Sequence, residues 1–368
     1  MIRKDLFDGA YEGRRVLVTG HTGFKGSWLV LWLLGLGAKV AGFSSYLPSE
    51  PCNYDVLKLN NKIRNFEGDV RDYAALTGVL TTFRPDVVFH LAAQPIVRLS
   101  HEDPLLTFST NVQGTANVLQ CIKNCESVRA AVVVTSDKCY LNKEWLWGYR
   151  ENDTLGGDDP YSASKACAEI VFKSYCASFF QGPDAPRLAT ARAGNVIGGG
   201  DWARDRIIPD CVRAWSQGRE AVMRNPNATR PWQHVLEPLS GYLQLGARLL
   251  SSGIASGEAF NFGPDARANH SVGELISEFM AHWGVCLMRH EGSEIKESSL
   301  LKLSCDKALQ KLKWHAALDF KETVGLTAVW YKSYYEGKED MFELSLRQIE
   351  RYIVAAANKT IRWAVGGR

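Results

Sequence analysis

No stretch of this sequence approaches the ~20 uninterrupted apolar residues that a membrane helix needs. The N-terminus, Met1 to Glu12, carries charges but no apolar core. Both absences lead us to expect a soluble, cytosolic protein with no membrane partner. A dense basic run is also missing: 43 basic and 40 acidic residues are spread along the chain for a net charge of +3, which sets nucleic acid aside as a partner. The nine cysteines include no Cys-x-x-Cys pair. Cys121 and Cys125 lack histidine partners at ligand spacing, so the cysteines read as reduced, mostly buried thiols and no metal site is expected. Without internal repeats or low-complexity segments, solenoids and disordered linkers drop out as well.

What remains is an ordinary globular composition, 46% hydrophobic and 23% charged over 368 residues, enough for one large domain or two modest ones. The first half alternates short β-branched runs with amphipathic stretches, the pattern of βαβ units building a parallel sheet covered by helices on both faces. Strands are expected at Arg15–Thr19, Lys39–Ser44, Asn65–Asp69, Asp86–Leu91, Arg129–Ser136 and Arg187–Ala193. Helices are expected at Ser27–Leu36, Tyr73–Thr82, Pro104–Lys123 and Tyr161–Phe180. Beyond Gly198 the alternation weakens and glycine and proline become denser. We expect a smaller, mixed lobe there, with pieces returning to the main sheet.

Three glycines, Gly20, Gly23 and Gly26, stand at i, i+3 and i+6 between the first strand and the first helix. In such a turn the first permits the tight bend, the second lets backbone approach a diphosphate and the third lets helix pack on sheet. Glycine-rich strand–helix turns also occur without ligands. The acid often found about 20 residues on, which holds a ribose hydroxyl, is absent: the second strand ends Ala41-Gly-Phe-Ser44-Ser45. Ser44 or Ser45 is left for that contact, and NADP stays open beside NAD. Asp69 reads as an adenine contact or a helix cap. Further on, Tyr161 and Lys165 share one helix face at i, i+4, where an ammonium can lower the pKa of a phenol and let it take a proton from a sugar hydroxyl.

Taken with His90-Leu-Ala-Ala-Gln94 and Thr135-Ser-Asp-Lys138 at two other strand ends, these motifs resemble the extended short-chain dehydrogenases that act on nucleotide sugars. The resemblance covers nearly the whole chain. It implies a doubly wound Rossmann sheet, residues 1–195 binding NAD and residues 196–368 forming mainly a nucleotide-sugar lobe. NAD would touch Gly20, Gly23, Phe24, Lys25, Gly26, Ser44, Asp69, Val70, Leu91, Ala92, Ala93, Tyr161 and Lys165. Where family members that dehydrate dTDP-glucose carry Thr-Asp-Glu, this chain has Ser136-Asp137-Lys138, which looks like the CDP-glucose 4,6-dehydratases. Longer runs agree, among them Gly20-His-Thr-Gly-Phe-Lys-Gly-Ser-Trp-Leu29 and Arg230-Pro-Trp-Gln-His-Val-Leu-Glu-Pro-Leu239. His101 departs from the family's usual Tyr.

By this resemblance Tyr161 removes the C4 hydroxyl proton while Thr135 holds the oxygen, Asp137 protonates the departing C6 oxygen, and Lys138 takes the C5 proton or only orients Asp137. Asn195, Arg204 and Arg230 would meet the diphosphate or ribose, Gln94 the hexose, and Trp202 a sugar or base. The implied reaction turns CDP-glucose into CDP-4-dehydro-6-deoxyglucose for deoxysugars of the O-antigen type. Homodimers or homotetramers would pair through Pro104–Lys123 and Tyr161–Phe180. Alternatives are a 4-epimerase, a dehydratase of another nucleotide-hexose, or an inactive cofactor-binding scaffold.

Overall fold

The computed structural model describes residues 2–253, 255–265, 268–284, 287–290 and 300–366. Its strands are β1 (Arg15–Thr19), β2 (Lys39–Ser44), β3 (Arg64–Glu67), β4 (Val87–His90), β5 (Ala130–Val134), β6 (Arg187–Ala193) and β7 (Ala259–Phe262). They make one parallel sheet in the order β7-β6-β5-β4-β1-β2-β3. β1 lies centrally, with Val16 paired to Val40 on one side and Val87 on the other. All six expected strands are present, and the seventh comes from the chain beyond Gly198.

Strand alternation feeds two cores. Leu17, Val88, Ala131 and Val133 face one, beneath α2 (Tyr73–Phe83), α3 (Gly114–Lys123) and α4 (Pro160–Phe179). Val16, Val18, Phe89, Ala130 and Val132 face the other, which α1 (Phe24–Gly35) and α6 (Leu236–Ser251) cover, with α5 (Ile207–Trp215) lying further out. Trp28 through Leu33 of α1 are wholly buried. A helix apolar all round needs cover on both sides, and α9 (Met341–Asn358), which follows α7 (Val272–Trp283) and α8 (Phe320–Glu336) in the chain, supplies the second side. Trp32 meets Tyr352 of α9 edge to face at 5.7 Å. The last helices therefore pack with the sheet domain. Short ladders build the smaller lobe: Val196–Ile197 with Gln233–His234, Thr229–Arg230 with His270–Ser271, and Ala221–Met223 with Met288–His290.

Two expected helices differ in extent. The first begins at Phe24 rather than Ser27, because Gly23 is its extended N-cap. Pro104–Lys123 is interrupted by a π-type turn at Ser109–Gln113, an irregularity that apolar periodicity does not register. The turn aims the Asn111 amide inward, where it donates to Gln94 O and Ser164 Oγ. No disulfide joins the eight described cysteines. Among the described residues no helix is long and apolar enough to cross a membrane.

Candidate active site

The C-terminal ends of β1, β4, β5 and β6 lie along one sheet edge, and strand order reverses between β1 and β4. In open α/β sheets that reversal opens a ligand crevice. Gly20 borders it with φ +72°, and a Cβ there would stand 2.6 Å from Ala92 N. A Cβ on Gly26 would run into the Gly20 carbonyl. No side chain caps α1 at Gly23, and the first turn, which holds Phe24 and Lys25, has no acid. Open N–H groups at a helix start make an anion site, so these residues fit a dinucleotide diphosphate.

At the end of β2, Thr22 Oγ1 donates to Tyr46 O at 2.8 Å and lies 2.9 Å from Ser44 Oγ. With Thr22's proton committed, Ser44 donates to Thr22 and its oxygen stays open as an acceptor, the role an acid plays elsewhere. Asp69 does not cap a helix: Asp72 caps α2, accepting from Ala75 N at 3.0 Å. Instead Asp69 grips Arg71 through backbone N at 2.8 Å and Nη2 at 2.6 Å, and that grip holds its carboxyl below the usual range. Val70 is buried against Gly114. Leu91, Ala92 and Ala93 form the irregular segment after β4. Gln94 is spent inside the chain: its amide donates to Ile96 O and Thr107 Oγ1 and accepts from Ile96 N. It staples this loop rather than presenting a group to a hexose.

The end of β5 corrects one expected role. Thr135 turns its hydroxyl away from the crevice and donates to Glu169 Oε1 at 2.5 Å. Ser136, extended at φ −163°, carries its hydroxyl to the opposite side, as alternation along an extended chain requires. There it donates to Asp137 Oδ1 at 3.0 Å and acts on the Tyr161 phenol, pulling it down against burial. Ser136, not Thr135, is the hydroxyl beside the phenol. The signal was in the sequence, since Ser136 is the residue that matches the Thr of Thr-Asp-Glu.

Asp137 is buried against Gly194, whose Cβ would lie 2.8 Å from Oδ2. Burial lifts its carboxyl above the ordinary value, while Lys138, Ser136 and Lys25 pull it back. Lys138 is half-buried, and no ion pair reaches it among the described residues. Asp159 caps α4, accepting from Ser162 N at 2.9 Å, and Pro160 starts the helix. One turn in, Tyr161 has its phenol pushed up to about 12 by burial, against the influence of Ser136 and the Arg206 charge. Lys165 is also buried and lowered to about 8. The charge of Arg206, a cation from outside α4, also acts on the phenol. Lys25, lowered to about 8 by burial and the like charge of Arg206, completes the cluster.

Beyond β6, Asn195 is half-buried and Arg204 exposed. Arg206 is pinned to buried Asp201 at 2.6 Å. Arg230 donates to Thr229 O at 2.9 Å on the rim of the small lobe. Trp202 is no stacking platform. It is 3% exposed and packed among Trp330, Tyr331 and Tyr334. A shallow cleft opens beside Gly194, lined by Pro231, Gln233, Gly263, Asn269 and Lys302 among others. Gln233 Oε1 and Asn269 Oδ1 are buried there without protein partners.

A dinucleotide cradle, a Tyr–Lys helix and an added buried acid on one sheet edge define an extended short-chain dehydrogenase with elimination chemistry. The chain belongs to the GDP-mannose 4,6 dehydratase family, whose family model matches residues 17–327. It is 45% identical over 351 residues to the CDP-glucose 4,6-dehydratase of Salmonella typhimurium, covering 94% of this chain and 98% of that one. The dTDP-glucose 4,6-dehydratase of Streptomyces griseus is 26% identical over 326 residues, 86% of this chain and 93% of that one. Among solved structures, the epimerase Mth375 of Methanothermobacter thermautotrophicus superposes with a TM-score of 0.76 at 25% identity, over 89% of this chain and 94% of that one. A dTDP-glucose 4,6-dehydratase of Streptomyces venezuelae solved with NAD gives 0.74 at 24% identity, over 89% and 99%, a likeness of fold.

Proposed function

We propose that this chain catalyses the NAD-dependent 4,6-dehydration of CDP-glucose to CDP-4-dehydro-6-deoxyglucose. One observation carries the reaction type: Ser136 donates to the buried Asp137 carboxyl at 3.0 Å and acts on the buried Tyr161 phenol, so an acid and a base stand beside one hydroxyl. A 4-epimerase needs the phenol but no buried acid. The choice of CDP-glucose rests on the 45% identity to the Salmonella enzyme over almost the whole length of both chains.

Gly20, Gly23, Phe24, Lys25 and Gly26 would hold the NAD diphosphate, Ser44, Asp69 and Val70 the adenosine, Leu91–Ala93 the middle of the cofactor, and Tyr161 with Lys165 the nicotinamide ribose. When bound, NAD supplies the hydride acceptor for C4, the donor for C6 and a cationic ring whose charge favours the phenolate. Tyr161 takes the C4 hydroxyl proton, and Ser136 hydrogen-bonds that oxygen. Asp137, kept protonation-prone by burial, donates to the leaving C6 oxygen. Lys138, in its neutral amine form, would take the C5 proton, or would only orient Asp137. Asn195, Arg230 and exposed Arg204 would meet the diphosphate, and the open acceptors beside Gly194 suit donors on the nucleotide. Residues up to 195 thus serve the cofactor and the lobe drawn mainly from 196–368 the sugar nucleotide.

Exposed Leu105, Phe108, Ile170 and Phe179 on the 104–123 and 160–179 stretches support pairing of two copies there, in a cytoplasmic homodimer or homotetramer serving deoxysugar synthesis. The test is incubation with CDP-, dTDP-, GDP- and UDP-glucose without added reductant, read by mass spectrometry for loss of water. Turnover chiefly of CDP-glucose is expected. Equal rates on all four, or none, sink the substrate claim, and isomerisation without mass loss favours epimerisation.

A further inference from the structure

Directly behind Ser136 and Tyr161 lies a buried ion pair that no step above uses. Glu169 and Arg192 have side chains 3% and 4% exposed. The Glu169 carboxylate accepts from Thr135 Oγ1 at 2.5 Å and Thr190 Oγ1 at 2.9 Å. It also takes a two-pronged grip from Arg192, Nε at 2.9 Å and Nη2 at 2.8 Å. Arg192 Nη1 continues to Tyr140 Oη at 2.7 Å and Glu151 O at 3.1 Å, and Tyr140 donates to Asn261 of β7 at 2.8 Å. The carboxylate joins the end of β5, α4 and β6, and Arg192 and Tyr140 extend the network to the chain after β5 and to β7.

Two placements give this network a bearing on the chemistry. Glu169 follows Tyr161 by eight residues and Lys165 by four, so all three lie on one face of α4. Thr135 immediately precedes Ser136-Asp137-Lys138, whose register against Tyr161 depends on where β5 ends. We propose, resting on the dehydratase reading, that Glu169 is a positioning residue: through Thr135 it sets the Ser136–Lys138 segment against Tyr161, and from one turn further along α4 its carboxylate acts on Lys165. Arg192 holds the carboxylate in place from two sides, and a bidentate guanidinium suits that task. Burial lowers Lys165, and Cys139 and then Glu169 oppose it.

Thr135→Val removes the hydroxyl at constant shape, and Thr135→Ser restores it. We expect Thr135→Val to lower kcat by on the order of tenfold, as small misplacements of reacting groups do, with KM for the sugar nucleotide within about twofold. Thr135→Ser should recover most of the loss. Glu169→Gln should move the alkaline limb of the pH–kcat profile to lower pH, because Lys165 then loses its proton earlier. It should move the alkaline loss of NAD affinity, followed by tryptophan fluorescence, in the same direction. The NAD titration needs no substrate, so it decides the proposal even if no sugar nucleotide is turned over, an outcome that defeats the function alone. A rise in KM with unchanged kcat in Thr135→Val would mean that Thr135 touches substrate. Unshifted profiles in Glu169→Gln, or no rescue by serine, would reduce the pair to a structural brace. Should Glu169→Gln fail to fold, the threonine series decides.

Discussion

Glu169 and Asp137 are buried to nearly the same extent, 4% and 7% exposed, yet the chain surrounds them differently. Glu169 has a guanidinium and two hydroxyls on its two oxygens. Asp137 has one hydroxyl, from Ser136, and the more distant charges of Lys138 and Lys25. A charge meant to stay put is neutralised and fully hydrogen-bonded. A carboxyl meant to gain and lose a proton is desolvated and left short of partners, and its pKa rises accordingly. The same contrast separates Arg192, locked into its network, from Lys25 and Lys165, each lowered to about 8 by burial.

Breaking the comparison should therefore cost activity on one side and stability on the other. Tyr161→Phe is expected to have the largest effect, a loss on the order of ten-thousandfold, the upper range for removing a general base. It should show as the absence of NADH in a single turnover, with an unchanged melting temperature. Full-rate NADH formation would remove Tyr161 from the first step. Next comes Arg192→Met. It strands a buried carboxylate, which costs about 3–5 kcal/mol, measured as a lower urea midpoint at constant slope.

Asp137→Asn sharpens the contrast, because activity and stability should move in opposite directions. Elimination should slow by roughly a hundredfold, the lower range for losing a general acid, while NADH still appears. A carboxyl raised by burial contributes its stability at low pH and loses it as pH rises through the folded value. At neutral pH the charge is thus a burden, and the neutral amide should raise the melting temperature. A variant that is both slower and clearly less stable would place Asp137 with Glu169, as a structural acid.

The legible part of this molecule is the part that repetition and steric need dictate. The glycine turn, the period-two strands and the caps of the later helices follow from local rules, and β1, β2 and β6 begin and end where alternation places them. Illegible features depend on which neighbour faces which way. Thr135 and Ser136 are chemically alike, and only the register at the end of β5 decides that one meets Glu169 and the other Tyr161. Arg204 and Arg206 differ by two positions, and a loop with Asp205 at φ +62° exposes the first while Asp201 holds the second. Trp202 has the residue type of a stacking platform, but three aromatics of α8 enclose it. The π-type turn and the strand β7 rest on tertiary contacts that no short window contains.

The smallest expected effect concerns groups kept neutral rather than paired. His90, at the end of β4, lies 2.7 Å from Thr19 Oγ1 and 3.2 Å from Thr115 Oγ1. Burial, with the charge of Lys165, lowers it to about 3. His21 and His234 are lowered by burial to about 4 and about 3. Unfolded imidazoles take protons near 6.5. As pH falls from there toward 3 the unfolded chain binds protons that the native chain refuses, so stability is full above 6.5 and drains away below it. Glu237, raised to about 7 by burial, has the opposite slope between its ordinary value and 7, and offsets one histidine of the three. Urea midpoints at pH 7 and pH 5 should show the net loss. In His90→Gln, whose amide can still meet both threonines, the loss between those pH values should shrink by roughly 2 kcal/mol, the linkage of one proton over that interval. An unchanged loss would mean that His90 is protonated in the native protein, as a paired charge would be.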